Sequence, residues 1–102
     1  KNFSFLLKQG GKWELAPAYD LCHAYRPGSE WVSQHSLSIH GKRKDITKAD
    51  LLVIGDSIRL KKASEIIDEI NETVNRWKQY ADEVQVAPIL RDEIDKTLLN
   101  LK

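Results

Sequence analysis

The chain has 102 residues, of which 41% are hydrophobic and 30% charged, and its formal net charge is +1. This length suffices for one domain, which buries roughly 65% of the surface of its unfolded chain. The balanced charge gives no electrostatic reason to wrap nucleic acid or to lie on an anionic membrane, and no apolar run approaches the ~20 residues of a membrane span. The single cysteine, Cys22, excludes an internal disulfide and predicts a cytoplasmic protein, because the cytosol is reducing.

The chain begins with lysine and contains no methionine. We therefore expect it to be a segment of a longer protein. Within it, one domain is expected over residues 1–102, divided into a hairpin and loop over 1–45 and a helical part over 46–102.

A β-hairpin is predicted at the start of the chain. Phe3, Phe5 and Leu7 alternate with other residues, which is typical of a strand buried on one face and partly on the other. Trp13 begins the returning strand. Between the strands, residues 9–12 read QGGK and supply the positive φ angles that a tight turn requires.

The stretch from Asp20 to Asp45 is predicted to be a long ordered loop, in which Leu37 and Ile39 could form one extended segment before Gly41. After the loop, Thr47 is a plausible N-cap with Asp50 three residues later. This spacing resembles a capping box and predicts a short helix.

Two further helices are predicted from apolar residues at helical spacing. The first runs from Lys61 to about Val84, and the second begins at Pro88, a residue that suits the first turn of a helix. The predicted buried stripe of the first comprises Ala63, Ile66, Ile67, Ile70, Val74, Trp77, Ala81 and Val84, and that of the second comprises Leu90, Ile94, Leu98 and Leu101.

Asn2 and Asp20 flank the predicted hairpin, and together they could hold Mg²⁺ against the phosphates of a nucleotide. Magnesium prefers oxygen ligands and usually takes one or two protein groups, with waters and phosphates completing its shell. Protein kinases place an Asn before such a hairpin and an Asp after it. Here the Asp lies in PAYDL rather than in Asp-Phe-Gly. For an arbitrary sequence, both residues are more often ordinary turn and cap formers.

Three segments carry a resemblance to the HipA-like family of bacterial toxin serine/threonine kinases. Residues 1–21 contain the block KNFS and the later motif PAYDL, which resemble the same motifs of the family. Residues 35–47, HSLSIHGKRKDIT, are similar to its Ser-Ile-x-Gly-Lys-Arg segment. The pair Arg76-Trp77 in the helical part is a weaker similarity.

The resemblance implies a mainly α fold with a small β-hairpin, forming part of the helical C-terminal lobe of a kinase. It assigns Asn2 and Asp20 as ligands of Mg²⁺ and ATP, and Lys1 as a neighbour of the catalytic loop. The catalytic Asp of such kinases precedes the Lys-Asn pair, so no catalytic residue is expected within this chain. The implied partners are a DNA-binding antitoxin and a protein substrate of the translation apparatus.

Other residues offer weaker signals. His23, His35 and His40 lack the spacing of a zinc site, so packing or solvent exposure is the better interpretation. The run 42–44, KRK, could contact nucleic acid or a phosphate, but three charges in a turn are usually solvated. The alternative to a kinase fragment is a non-catalytic helical module that binds another protein.

Overall fold

Four helices follow one short hairpin in the computed structural model, which describes residues 2–101. The strands are β1 (Phe5–Leu7) and β2 (Trp13–Leu15), and the helices are α1 (Lys48–Ser57), α2 (Ala63–Asn75), α3 (Trp77–Glu83) and α4 (Pro88–Asp95). This architecture confirms the predicted class, mainly α with a small β-hairpin. Within the described residues, no helix is both long enough and apolar enough to cross a membrane.

The hairpin forms where the sequence predicts it. β1 and β2 pair antiparallel with Phe5 opposite Leu15 and Leu7 opposite Trp13, and the turn uses Gly10 and Gly11, at φ 96° and 80°. The predicted burial of the first strand is wrong, because Phe5 and Leu7 keep more than half of their surface exposed. The physical reason is that neither strand packs against a described helix.

Residues 35–43 form a tight turn inside the long loop. The backbones of Ile39 and Lys42 exchange both hydrogen bonds, at 2.8 and 2.9 Å, around His40 and Gly41, whose φ angles are 50° and 76°. Two successive positive φ angles are typical of a type I′ turn. The extended segment expected before Gly41 is therefore reduced to Ile39, which pairs with Lys42 in an isolated antiparallel bridge.

The N-terminus of α1 confirms the predicted capping box. The Thr47 hydroxyl oxygen accepts a hydrogen bond from the Asp50 backbone N–H at 3.4 Å, and the Asp50 carboxylate accepts one from the Thr47 backbone N–H at 2.8 Å. These two bonds satisfy donors that every helix N-terminus leaves without an intrahelical partner.

The helix predicted from Lys61 to Val84 is instead two helices, so this prediction is wrong in its continuity. α2 ends at Asn75, and the φ of −89° and ψ of 12° of the next residue, Arg76, lie outside the α-helical region. The Arg76 backbone N–H donates to the carbonyl of Thr73, which tightens the last turn of α2. α3 then begins at Trp77, and the Trp77 indole N–H donates to the backbone carbonyl of Arg91 in α4 at 2.9 Å. The break thus accompanies the pairing of α3 with α4.

The apolar core is small. Ile46, Ala63 and Ala81 are its buried hydrophobic residues among those that the structure describes. Of the stripe predicted for the long helix, Ile67, Val74 and Trp77 are half-buried, whereas Ile66, Ile70 and Val84 are exposed. In the final stripe Ile94, Leu98 and Leu101 are half-buried and Leu90 is exposed. The Cα radius of gyration is 16.3 Å, larger than the ~13 Å of a compact domain of this length.

Candidate functional site

The hairpin brings Asn2 and Asp20 together. Its ladder is extended by one bond beyond the strands, from the backbone N–H of Ala16 to the carbonyl of Ser4 at 2.9 Å. The segments that flank the strands therefore lie side by side. The Asn2 side-chain amide Nδ2 donates to the backbone carbonyl of Asp20 at 3.3 Å.

A tight turn fixes the backbone around Asp20. Its φ is 51°, in the left-handed region that Asp tolerates better than most residues. The Asp20 carbonyl also accepts a hydrogen bond from the backbone N–H of Cys22, two residues later, at 3.0 Å. One carbonyl oxygen thus ties the chain before the hairpin to the chain after it.

The oxygens of both side chains remain available to a ligand. Among the described residues, no hydrogen bond engages the Asp20 carboxylate or the Asn2 Oδ1. Asn2, Asp20, Phe3, Leu21 and Cys22 line an open hollow at this point. One carboxylate and one amide oxygen beside an open hollow fit a hard cation that takes its remaining ligands from water and phosphate.

The part of the chain that the structure describes contains no group of three or more His, Cys, Asp or Glu residues arranged to hold a metal ion. A closed structural zinc site requires four such ligands close together. Lys1, the expected neighbour of a catalytic loop, lies outside the described residues.

The sequence reasoning missed a polar cluster around Asp50, the one buried charged side chain among the described residues. Its carboxylate accepts hydrogen bonds from Lys42 Nζ at 2.9 Å, from His40 Nδ1 at 3.0 Å, and from the backbone N–H and hydroxyl of Thr47. The Lys42 ammonium, with the Thr47 donors, holds the pKa of Asp50 well below its ordinary value of 3.8.

The Asp50 cluster holds the tight turn of residues 35–43 against α1. Three of its donors contact Oδ2 and one contacts Oδ1, so the buried carboxylate joins the turn to the helix N-terminus and serves to anchor the loop. Lys42 therefore has a specific partner, whereas the KRK run was expected to be solvated. The capping box was visible in the sequence, but the contacts from His40 and Lys42 depend on the fold of the turn.

A second charged cluster joins α3 to α4. The Arg91 guanidinium contacts Asp82 at 2.6 Å and Asp92 at 2.9 Å. These carboxylates raise the pKa of Arg91 further above its ordinary value, and Arg91 in turn lowers the pKa of Asp92. Lys78 Nζ, 3.9 Å from Asp92 Oδ1, supplies a second positive charge beside the two carboxylates, and the cluster has a structural role.

The chain is thus a mainly helical segment that begins with a short hairpin, and this hairpin places Asn2 beside Asp20. A family model described as "HipA-like C-terminal domain" matches residues 1–77. Since this match covers most of the chain, the protein belongs to the HipA-like C-terminal domain family. Comparisons with curated proteins and with solved structures found no significant match.

Proposed function

We propose that this chain is part of the C-terminal lobe of a HipA-like serine/threonine kinase, the toxin of a toxin–antitoxin pair. The full-length protein would transfer the γ-phosphoryl group of Mg-ATP to a hydroxyl of a protein substrate. In this proposal the antitoxin is a small DNA-binding protein, and the substrate belongs to the translation apparatus.

The observation that carries this proposal is the pairing of Asn2 with Asp20 across the hairpin. The amide Nδ2 of Asn2 is held by the Asp20 backbone, at 3.3 Å, so the Asn2 Oδ1 is left to face a ligand. Asp20 lines the same hollow as Asn2 and contributes a carboxylate to it. When bound, Mg²⁺ would neutralise charge on the phosphates of the nucleotide.

The exposed apolar face of the hairpin supports a larger parent protein. Phe5, Leu7, Trp13 and Leu15 share one face, because they occupy directly opposed positions of the ladder, and each is more than half exposed. Monomeric proteins rarely leave such contiguous apolar side chains uncovered. In our proposal, other parts of the kinase cover this face and supply the catalytic Asp and the nucleotide-binding lobe.

The test is Asp20→Asn in the full-length protein, with Asp45→Asn as the matched control. Asp45 is also an exposed loop aspartate with a positive φ, 52° against 51° for Asp20, so both substitutions make the same local demand on the backbone. We expect Asp20→Asn to lower kcat for phosphoryl transfer by about a hundredfold or more, because metal-assisted charge stabilisation contributes several kcal/mol. Asp45→Asn should keep near-normal turnover.

Two further measurements complete the test. Asn2→Ala should impair turnover in the same way but less, since a neutral ligand binds a hard cation more weakly than a carboxylate. The 102-residue chain alone, incubated with labelled ATP and a generic protein acceptor, should transfer no phosphate above the buffer background. Normal turnover in a folded Asp20→Asn protein would contradict the metal assignment. Absence of phosphoryl transfer in the wild-type full-length protein would instead favour a non-catalytic interaction module.

A further inference from the structure

One side-chain hydrogen bond connects residues 2–34, which include Asn2 and Asp20, to the helical part of the chain. His23 Nε2 and Thr97 Oγ1 lie 2.9 Å apart, although 74 residues separate them in the chain. Among the described residues, no other hydrogen bond or ion pair joins residues 2–34 to residues 35–101. The residues that follow the hairpin, 20–34, are called the Asp20 loop below. Their placement against the helical part therefore depends on this hydrogen bond.

The direction of the bond follows from the second partner of Thr97. The Thr97 hydroxyl lies 2.7 Å from the backbone carbonyl of Ile94, which can only accept, so the hydroxyl proton is directed there. The Thr97 oxygen must then accept from His23, and Nε2 carries the proton. This bond forms with neutral His23 in the Nε2–H tautomer and also with protonated His23.

Thr97 is well anchored in the helical part. Its backbone N–H donates to the Ile94 carbonyl at 2.8 Å, just after α4. Four residues later, the backbone N–H of Leu101 donates to the Asn71 side chain of α2 at 2.9 Å. Hydrogen bonds at Thr97 itself and at Leu101 thus hold this segment to the helices. Thr97 can therefore restrain the loop that contains His23.

His23 lies three residues after Asp20, which limits how far Asp20 can move once His23 is held. Three residues span at most about 11 Å, and the bond from Cys22 N–H to the Asp20 carbonyl contracts this stretch further. Restraining His23 therefore restrains the Asp20 backbone, whose carbonyl also orients Asn2.

We propose that the His23–Thr97 hydrogen bond positions the Asp20 loop for binding of the Mg-nucleotide. The proposal rests on the proposed kinase function and adds a role for the segment after residue 77, where the family match ends. His23 and Thr97 are positioning residues, since they act on the site through Asp20 and Asn2.

The kinetic test compares Thr97→Val with Thr73→Val in the full-length protein. Both hydroxyls donate to a backbone carbonyl, Thr73 to Glu69 at 2.9 Å, but only Thr97 also accepts from a histidine. We expect Thr97→Val to raise the Mg²⁺ concentration for half-maximal phosphoryl transfer about threefold to tenfold, the factor that one such hydrogen bond contributes. At saturating Mg²⁺, kcat should stay near normal.

Two more variants separate the hydrogen bond from packing. Thr97→Ser keeps the hydroxyl and should restore the normal Mg²⁺ dependence. His23→Phe keeps an aromatic ring beside Tyr25, 6.5 Å away between centroids, but removes the donor. The double variant His23→Phe/Thr97→Val should be no worse than either single variant, because both remove the same bond.

Amide hydrogen exchange on the 102-residue chain tests the contact without any enzymatic assay. Thr97→Val should accelerate exchange of the Cys22 amide, which the Asp20 carbonyl protects, whereas Thr73→Val should not. Unchanged exchange in Thr97→Val would overturn the proposal whether or not the protein is a kinase. Faster exchange with an unchanged Mg²⁺ dependence would overturn the positioning role, and absence of phosphoryl transfer in the wild type would remove the proposed function and this role with it.

Discussion

Gly55 marks the closest approach of α1 to α2. A Cβ atom placed on Gly55 would lie 2.5 Å from the Ala63 Cβ and 3.9 Å from the Ala63 Cα. Both residues are buried, and Ala63 has no side-chain torsion through which it could retreat. We therefore expect Gly55→Ala to force the backbones of the two helices apart.

The expected change in the free energy of unfolding is the difference between two opposing effects. Overpacking a close contact costs typically ~1–3 kcal/mol. Replacing Gly by Ala within a helix returns up to ~1 kcal/mol through helix propensity. The net expectation is destabilisation by about 1 kcal/mol, with an upper end near ~2 kcal/mol, a substantial part of the stability of a small domain.

Urea denaturation measures this change in stability. The four proteins to compare are the wild type, Gly55→Ala, Ala63→Gly, and the exchanged pair Gly55→Ala/Ala63→Gly. The exchanged pair restores room for one methyl group, so it should be more stable than the sum of the single effects predicts. A Gly55→Ala variant that is stabilised by the full helix-propensity gain would refute the close contact. Additive effects in the exchanged pair would refute it as well.

Three further predictions concern other parts of the chain. Trp77→Phe removes the indole donor to Arg91 and should lower the free energy of unfolding in urea by ~1–2 kcal/mol, whereas an unchanged midpoint would contradict the contact. Because the folded-state pKa of Asp50 lies below 3.8, its carboxylate stabilises the fold above about pH 4 and loses this effect in more acidic solution. Asp50→Asn should therefore be less stable than the wild type near pH 7, and the gap should narrow as the pH falls below 3.8 in pH-dependent denaturation. Leu7→Ser should change the stability of this chain by less than ~0.5 kcal/mol, since Leu7 is exposed, and should cost more in the full-length protein.

Local interactions account for the features that the sequence predicted well. The turn at Gly10 and Gly11, the capping box of Thr47 and Asp50, and the start of α4 at Pro88 each depend on residues within a few positions of one another. Such short-range rules operate whatever the rest of the chain does. The motifs around Asn2 and Asp20 likewise predicted the HipA-like family, and the match of the family model to residues 1–77 confirmed it.

Helical periodicity was a weaker guide. It predicted one helix across Arg76 because apolar spacing continues through the break, but the Trp77 indole reaches Arg91 and α3 pairs with α4. It also predicted buried positions, such as Ile70 and Val84, that the structure leaves exposed. Periodicity shows which residues share a face, but burial needs a second surface opposite that face.

The sequence by itself determined the hairpin, its turn, the capped start of α1 and the helical second half, and it placed Asn2 and Asp20 on either side of the strands. Only the tertiary structure decided that Lys42 and His40 meet Asp50, that Gly55 meets Ala63, and that His23 meets Thr97. The physical reason is distance along the chain. Contacts between residues that are eight to 74 positions apart depend on how turns and helices are placed in space, and no local pattern of residue types encodes that placement.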